Sequence, residues 1–297
     1  MNTKRLGAIS ALWRFPVKSK RGEQLARVDL TDSGVLGDRA YALVDLETGK
    51  VVSAKSAKLF PDVLACQAAF VESPQLGEEF PAVLITLPNG SSVTSDSRNA
   101  DSFLSEFFKR KVTLARTAPA DFTIDMYHPD LGELQADGPR DTVMDQKLGS
   151  ALFAELGLPS AVPAGSFFDC YPISILSTST ISQLSDLRPE SQFDQRRFRM
   201  NVIVDSSERG FIENSWVGHD LRIGNSAELS VAVPDSRCVM PTLAQAELPK
   251  DIEILRTLAR HNKIQVGTSQ VPCAGVYATV RNPGLINAGD QVLMETN

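Results

Sequence analysis

Leu229-Ser230-Val231-Ala232-Val233-Pro234-Asp235-Ser236-Arg237-Cys238-Val239-Met240-Pro241-Thr242 is the run from which the rest of the chain can be read. Apolar residues at 229, 231 and 233 alternate with smaller ones, the period of a half-buried strand. Pro234-Asp235-Ser236 is turn chemistry. Cys238 is therefore expected just past a strand end, on a loop held by a sheet, with Arg237 beside it. A neighbouring guanidinium favours thiolate over thiol. A thiolate is both a soft ligand for a transition metal and a nucleophile. The same residues also fit a small buried hydrophobe, the ordinary role of a free cysteine, so the choice rests on what surrounds them.

Working outward, Gly224-Asn225 marks a hairpin that feeds the strand, and residues 275–280 and 291–294 read as closing strands. Upstream, Gln195-Arg196-Arg197-Phe198-Arg199-Met200-Asn201 runs into the strand-like Val202-Ile203-Val204. Cations beside a core strand are costly unless they meet an anion or a carboxylate. Asp194, Asp205 and Glu208 could serve, and so could a ligand. Residues 173–176 read as a strand followed by Ser177-Thr178-Ser179-Thr180, with Ile181, Leu184 and Leu187 at helical spacing. Ser177 fits an N-cap, and a helix start can also receive an anion. Asp251 can cap a helix carrying Ile252, Leu255 and Leu258.

At the other end of the chain, Phe15-Pro16-Val17-Lys18-Ser19-Lys20-Arg21-Gly22 leaves an apolar strand as a basic, hydroxyl-bearing turn. Lys18 as a point charge and Ser19 as a donor would cradle an anion; a solvated turn is the alternative. A glycine-rich loop, residues 34–39, ends in the charge pair Asp38-Arg39. Hairpins follow around residues 47–50 and around Asn89-Gly90, and Phe103, Leu104, Phe107 and Phe108 form the apolar stripe of a helix. Many short strands at close spacing suggest a barrel or sandwich. Residues 117–147, with Pro119, Pro129 and Pro139 and few large apolar side chains, read as a long loop or linker.

Composition narrows the function classes. The 297 residues, 42% hydrophobic, can bury a full core and suggest about two domains. A net charge of −6 argues against nucleic acid as a partner. No run approaches the ~18 apolar residues of a membrane span, and the basic start lacks the apolar core of a signal peptide, so a cytoplasmic location is expected. Cys66, Cys170, Cys238 and Cys273 form no C-x-x-C pair, zinc module or iron–sulfur cluster. His128, His219 and His261 stand alone.

Taken together and in order, several of these pieces resemble the MOSC-domain proteins, named for the C-terminal domain of molybdenum-cofactor sulfurase. The pieces are Phe15 to Ser19, Asp38-Arg39, Leu176-Ser177, Arg199-x-Asn201, Glu213-x-x-Trp216, Ser236-Arg237-Cys238, Gly275-x-Tyr277 and the turn from Pro283 to Asp290. The resemblance implies a β-rich α+β fold: an N-terminal MOSC β-barrel domain over residues 1–120, a loop or linker over 121–147, and a MOSC β-barrel domain with short helices over 148–297. It implies molybdenum cofactor (Mo-molybdopterin) as the cofactor, with Cys238 as metal ligand and catalytic residue. It assigns cofactor binding to Lys18, Ser19, Arg39, Ser177, Arg199, Asn201, Ser236, Arg237 and Tyr277.

The functional relatives suggested are the amidoxime-reducing, N-hydroxylated-compound reductases. These take small N-hydroxylated or N-oxide substrates and draw electrons from a separate ferredoxin, flavodoxin or cytochrome b5-like partner with its reductase. A sulfur carrier using a Cys238 persulfide, or a cofactor carrier without turnover, is the alternative. Two departures stand out. Met200 replaces the usual proline between Arg199 and Asn201, and Leu243-Ala244-Gln245-Ala246-Glu247 replaces an acidic run after the cysteine. Tyr277 and Asp169 are the candidate proton donors.

Overall fold

The computed structural model describes residues 2–134, 139–267 and 269–296. Seven strands close into a barrel. In ring order they are Asn2–Arg14, Gln291–Thr296, Asp220–Ile223, Ala227–Ser236, Ser269–Asn282, Ile173–Ser177 and Val202–Asp205, which returns to Asn2–Arg14. Every pairing is antiparallel except that of Ile173–Ser177 with Val202–Asp205. Leu12, Ile173, Val204, Trp216, Leu229 and Val276 are among the side chains that fill the interior, as expected when alternate residues of each strand face inward.

The alternation at Leu229 and Val231 is present, paired with Val280 and Ala278. The strand does not stop at Val233, however. Pro234-Asp235-Ser236, expected as a turn, continues it to Ser236. The ladder shifts register on either side of Pro234, and such irregularities are where a strand tolerates a residue lacking an N–H. The odd-numbered face buried at Ala227, Leu229 and Val231 therefore runs on to Asp235, which is buried at the barrel end.

The N-terminal half packs around a second core that includes Val17, Leu43, Val63, Ile85 and Leu104. Its elements are a three-stranded sheet of Gln67–Phe70, Val83–Thr86 and Ser92–Thr94, a pair of Ala42–Asp45 with Val112–Ala115, and the helix Ala100–Phe108. Its first strand, Asn2–Arg14, is a stave of the barrel. The turn after that strand is held by a bridge between Val17 and Tyr41, so Lys18 and Ser19 are fixed relative to both cores.

Within residues 117–147, expected as a loop or linker, the described residues include strands. Thr123–His128 and Thr142–Lys147 pair as an antiparallel ribbon, in register from Thr123 opposite Lys147 to His128 opposite Thr142. Most of its side chains are half-buried or exposed on both faces, so no apolar alternation marks it, and the three prolines lie just outside its strands. Among the described residues, no helix is long and apolar enough to cross a membrane.

Candidate functional site

A cleft opens between the barrel end and the N-terminal half, enclosing about 740 Å³ including the part open to solvent. Its wall is assembled from several short segments, with Asp169 from the segment before Ile173–Ser177. The turn after the first strand gives Lys18 and Ser19, the glycine-rich loop gives Arg39, and the 3-10 turn Ala54–Ser56 gives Lys55. The segment before Val202–Asp205 gives Arg197, Arg199 and Asn201, and the end of Ala227–Ser236 gives Asp235, Ser236, Arg237 and Cys238. Tyr277, from the neighbouring strand, stacks on Tyr171 with ring centroids 5.6 Å apart. Of the expected site residues, all but Ser177 line this one cleft.

Ser177 lies elsewhere. It is fully buried, and its Oγ accepts from the Thr180 N–H at 3.2 Å as the N-cap of the helix Thr178–Leu187. Its own backbone N–H donates to Glu213, whose other carboxylate oxygen accepts from the Thr180 hydroxyl at 2.5 Å. The hydroxyl-rich helix start is thus spent on capping, and Trp216 of the same Glu-x-x-Trp motif fills the barrel core.

The backbone at the cleft is held in unusual conformations. Ser19 (φ 64°), Arg39 (φ 50°) and Arg199 (φ 55°) are half of the non-glycine residues with positive φ among those described. Such strain gathers where surrounding structure over-determines a functional geometry. Asn201 shows how it is over-determined. Its Oδ1 accepts from the backbone N–H and the hydroxyl of Ser174 at 3.2 and 3.0 Å, and its Nδ2 donates to Asp38 at 2.9 Å. Asp38 in turn accepts from the Phe15 N–H and pairs with Arg39. The Ser19 hydroxyl accepts from the Ala54 N–H at 3.0 Å, tying the two basic turns together.

The electrostatics are strongly cationic. Lys18 and Lys55 both pair with Asp169, the latter at 2.8 Å. Burial alone would raise Asp169, but the two ammoniums overcome it and hold its carboxyl far below the usual carboxylate range. Asp169 is therefore a fixed anion and not a proton donor, contrary to the sequence expectation. Burial lowers Lys18 to about 8 against the pull of Asp169. Lys55 is also buried, yet Asp169 and Cys238 raise it above the ordinary lysine value.

The three arginines separate. Arg196 is consumed by Asp194 and Glu247. Arg197 donates to the carbonyls of Gln192, Pro241, Leu243 and Pro249. Arg199 makes no ion pair among the described residues. It is 7% exposed, donates to the Lys20 carbonyl at 2.5 Å, and lies 4.3 Å from the centroid of the Phe15 ring, which Arg39 also covers at 4.7 Å. Burial first, and the Arg39 charge second, lower it to about 9.

Arg237 was expected to act on Cys238, but its guanidinium is occupied. It pairs with Asp235 at 2.5 Å and donates to the carbonyls of Ala274 and Phe198. A cation in Coulombic reach of Cys238 is Lys55, a residue that sequence reading passed over. Its signal was available: Ser53-Ala54-Lys55-Ser56 follows a hairpin strand as Lys18-Ser19 follows the first one. Asp235 was also missed, because it was read as a turn. Burial raises it to about 6 despite Arg237, and its Oδ1 is buried without a hydrogen-bond partner among the described residues. Burial, with the Asp235 charge, keeps the Tyr277 phenol protonated far above its usual value.

Cys238 is partly exposed in the cleft wall. No group of three or more His, Cys, Asp or Glu side chains converges to hold a bare metal ion among the described residues. The arrangement can therefore bind an anionic, hydrogen-bonding ligand against Arg199, Arg39 and Lys18 while presenting one sulfur donor to it.

The chain is 25% identical over 311 residues to mitochondrial amidoxime-reducing component 1 of Homo sapiens, covering 97% of this chain and 83% of that protein. It is 24% identical over 309 residues to mitochondrial amidoxime reducing component 2 of Bos taurus, with the same coverage. Among solved structures, the YUAD protein from Bacillus subtilis aligns with a TM-score of 0.46 at 12% identity, over 100% of this chain and 98% of that one. The family model of the MOSC N-terminal beta barrel domain matches residues 6–116, and that of the MOSC domain matches residues 163–293. The chain is thus a MOSC-domain protein, its MOSC domain preceded by the family's N-terminal beta barrel domain.

Proposed function

We propose that the cleft binds molybdenum cofactor, with Cys238 as the single protein ligand of the metal, and that the protein is an oxidoreductase reducing N-hydroxylated compounds. The observation that carries this reading is Arg199. A guanidinium buried with no carboxylate partner among the described residues, beside a second arginine and across a cleft from a partly exposed thiol, is what a phosphate-bearing, thiolate-ligated cofactor would neutralise. The donor set fits the group. Lys18, Arg39 and Arg199 suit the phosphate, and the Ser19 and Asn201 segments and the unpartnered Asp235 Oδ1 offer polar contacts to a ring edge. The reading also rests on the likeness to amidoxime-reducing components over nearly the whole chain.

Bound there, the cofactor supplies a two-electron redox couple at the metal. The protein supplies the rest. Lys55, pinned by Asp169, keeps a positive charge close to the Cys238 sulfur. Reduction of N–OH to N–H with loss of water consumes two protons. The Asp235 carboxyl, at about 6, can carry one near neutrality, and Tyr277 holds its phenolic proton beside it. The electrons come from a separate donor protein.

The test is molybdenum analysis of protein made in a cofactor-competent host, wild type beside Cys238→Ser, followed by amidoxime reduction with an added reductase. Near-stoichiometric molybdenum in the wild type, lost or weakly held in the variant, with amidoxime turnover, is the expected outcome. Folded wild-type protein without molybdenum would overturn the reading and favour a sulfur carrier. Bound molybdenum without turnover would favour a cofactor carrier.

A further inference from the structure

Cys238 is shared by two cavities. Besides the cationic cleft, it borders a broad groove of about 1770 Å³, open solvent included, on another side of the loop. The ribbon Thr123–His128 with Thr142–Lys147 forms one wall, contributing Tyr127 and His128 and continuing into Leu131. The helix Glu253–His261 contributes Leu255, and the start of Ser269–Asn282 contributes Val271 and Pro272. The Lys263 ammonium donates to the Leu134 carbonyl and ties the ribbon side of the groove to the opposite strand.

The two cavities differ in chemistry. The cleft is lined by lysines, arginines and hydroxyls around Asp169 and Asp235. The groove is lined mostly by apolar and aromatic side chains, and its ionisable groups are Tyr127, His128, Arg237, Lys263 and Cys238, with no carboxylate among the described lining residues. Burial first, and the Lys55 charge second, lower His128 below its ordinary value. An apolar pocket with few polar groups is the ordinary design of a small-molecule site. One sign of charge in a low-dielectric cleft selects against ligands of that sign.

Building on the function proposed above, we propose that this groove seats the body of the substrate: a flat, largely apolar N-hydroxylated compound, neutral or anionic, whose N–OH end reaches the Cys238 side while its remainder lies against Tyr127, Leu131, Leu255 and Val271. The cleft then holds the cofactor, the groove holds the substrate, and Cys238 stands at their junction.

The test is isothermal titration of the cofactor-loaded protein with benzamidoxime, its 4-carboxylate and its cationic 4-aminomethyl derivative. The proteins compared are the wild type and the variants Val271→Glu and Leu131→Glu, two half-buried groove positions outside the cleft. The wild type should bind the cationic compound about tenfold more weakly than the neutral one, and the glutamates should reverse that order by a similar factor. Molybdenum content should stay unchanged. Wild-type affinities and charge order in both folded, molybdenum-containing variants would overturn the groove assignment while leaving amidoxime turnover intact. A molybdenum-containing wild type that neither binds nor reduces any of the three would bring down the N-reductive reading, and the groove with it.

Discussion

Arg199→Met offers the sharpest test of why the cleft is charged. The drop of the Arg199 guanidinium from its ordinary 12.5 to about 9, at 1.36 kcal/mol per tenfold change in acidity, makes its charged form a folding cost of about 5 kcal/mol in the empty protein. Replacing it by methionine removes that cost. The variant loses the stack on Phe15, about 1–2 kcal/mol, and the charged hydrogen bond to the Lys20 carbonyl, about 1.5–3 kcal/mol. The balance is about 0–2 kcal/mol in favour of methionine, so the melting temperature should hold or rise by up to about 5 °C. Truncating an ordinary buried side chain would instead cost about 2–5 kcal/mol. The assay is thermal unfolding of cofactor-free protein with and without inorganic phosphate. At a hundredfold excess over its dissociation constant, an anion stabilises by about 2.7 kcal/mol. The wild type should show such a phosphate effect and the variant should lose most of it. A variant that melts about 10 °C lower, with a wild type indifferent to phosphate, would refute the argument and make Arg199 a structural residue.

Three further outcomes follow from the same geometry. Ser177→Ala should cost about 1 kcal/mol in chemical denaturation through loss of the helix cap, with cofactor content unchanged; loss of cofactor from the folded variant would show that Ser177 acts on the site. Gly275 has φ 80°, and a Cβ there would lie 2.4 Å from the Ile175 carbonyl oxygen, so Gly275→Ala should destabilise by about 3 kcal/mol or more, read as a lowered denaturation midpoint. Lys20 is fully buried, its Nζ has no hydrogen-bond partner, and burial lowers it to about 8 from 10.5. Below pH 8 both folded and unfolded chains carry this proton and the folded one is penalised. Between pH 8 and 10.5 only the unfolded chain keeps it. Stability contributed by this group should therefore rise by about 3 kcal/mol across that window in cofactor-free wild type, and the rise should be missing in Lys20→Met, which is already more stable at pH 7. Equal pH slopes in the two proteins would exclude it.

Much of the site could be read from local chemistry, because each piece announces itself within a few residues. Cys238 after an alternating strand, Lys18-Ser19 after a proline, and Arg199 before a buried strand each pose a question that only tertiary structure answers, and the cleft brings them together. The Asn89-Gly90 hairpin appears as Val83–Thr86 paired with Ser92–Thr94, and the Gly224-Asn225 hairpin as Asp220–Ile223 paired with Ala227–Ser236. What sequence could not show is where a guanidinium points. Arg196, Arg197, Arg199 and Arg237 look alike in the chain, yet salt bridges, carbonyls, an aromatic ring and Asp235 take one or more of them each. Asp235 was hidden by Pro234, which suggests a turn unless the ladder is irregular there. The ribbon of residues 123–147 was hidden because a strand pair wet on both faces needs no apolar period.

The stave made by Asn2–Arg14 lies between Val202–Asp205 and Gln291–Thr296. Ribosomal synthesis delivers these partners far apart in time, Asn2–Arg14 long before its neighbour Gln291–Thr296. The ring cannot shut around the growing chain until Gln291–Thr296 has emerged. A chain lacking Gln291–Thr296 would leave the ring one member open, with Asn2–Arg14 and Asp220–Ile223 each short of a partner on that side.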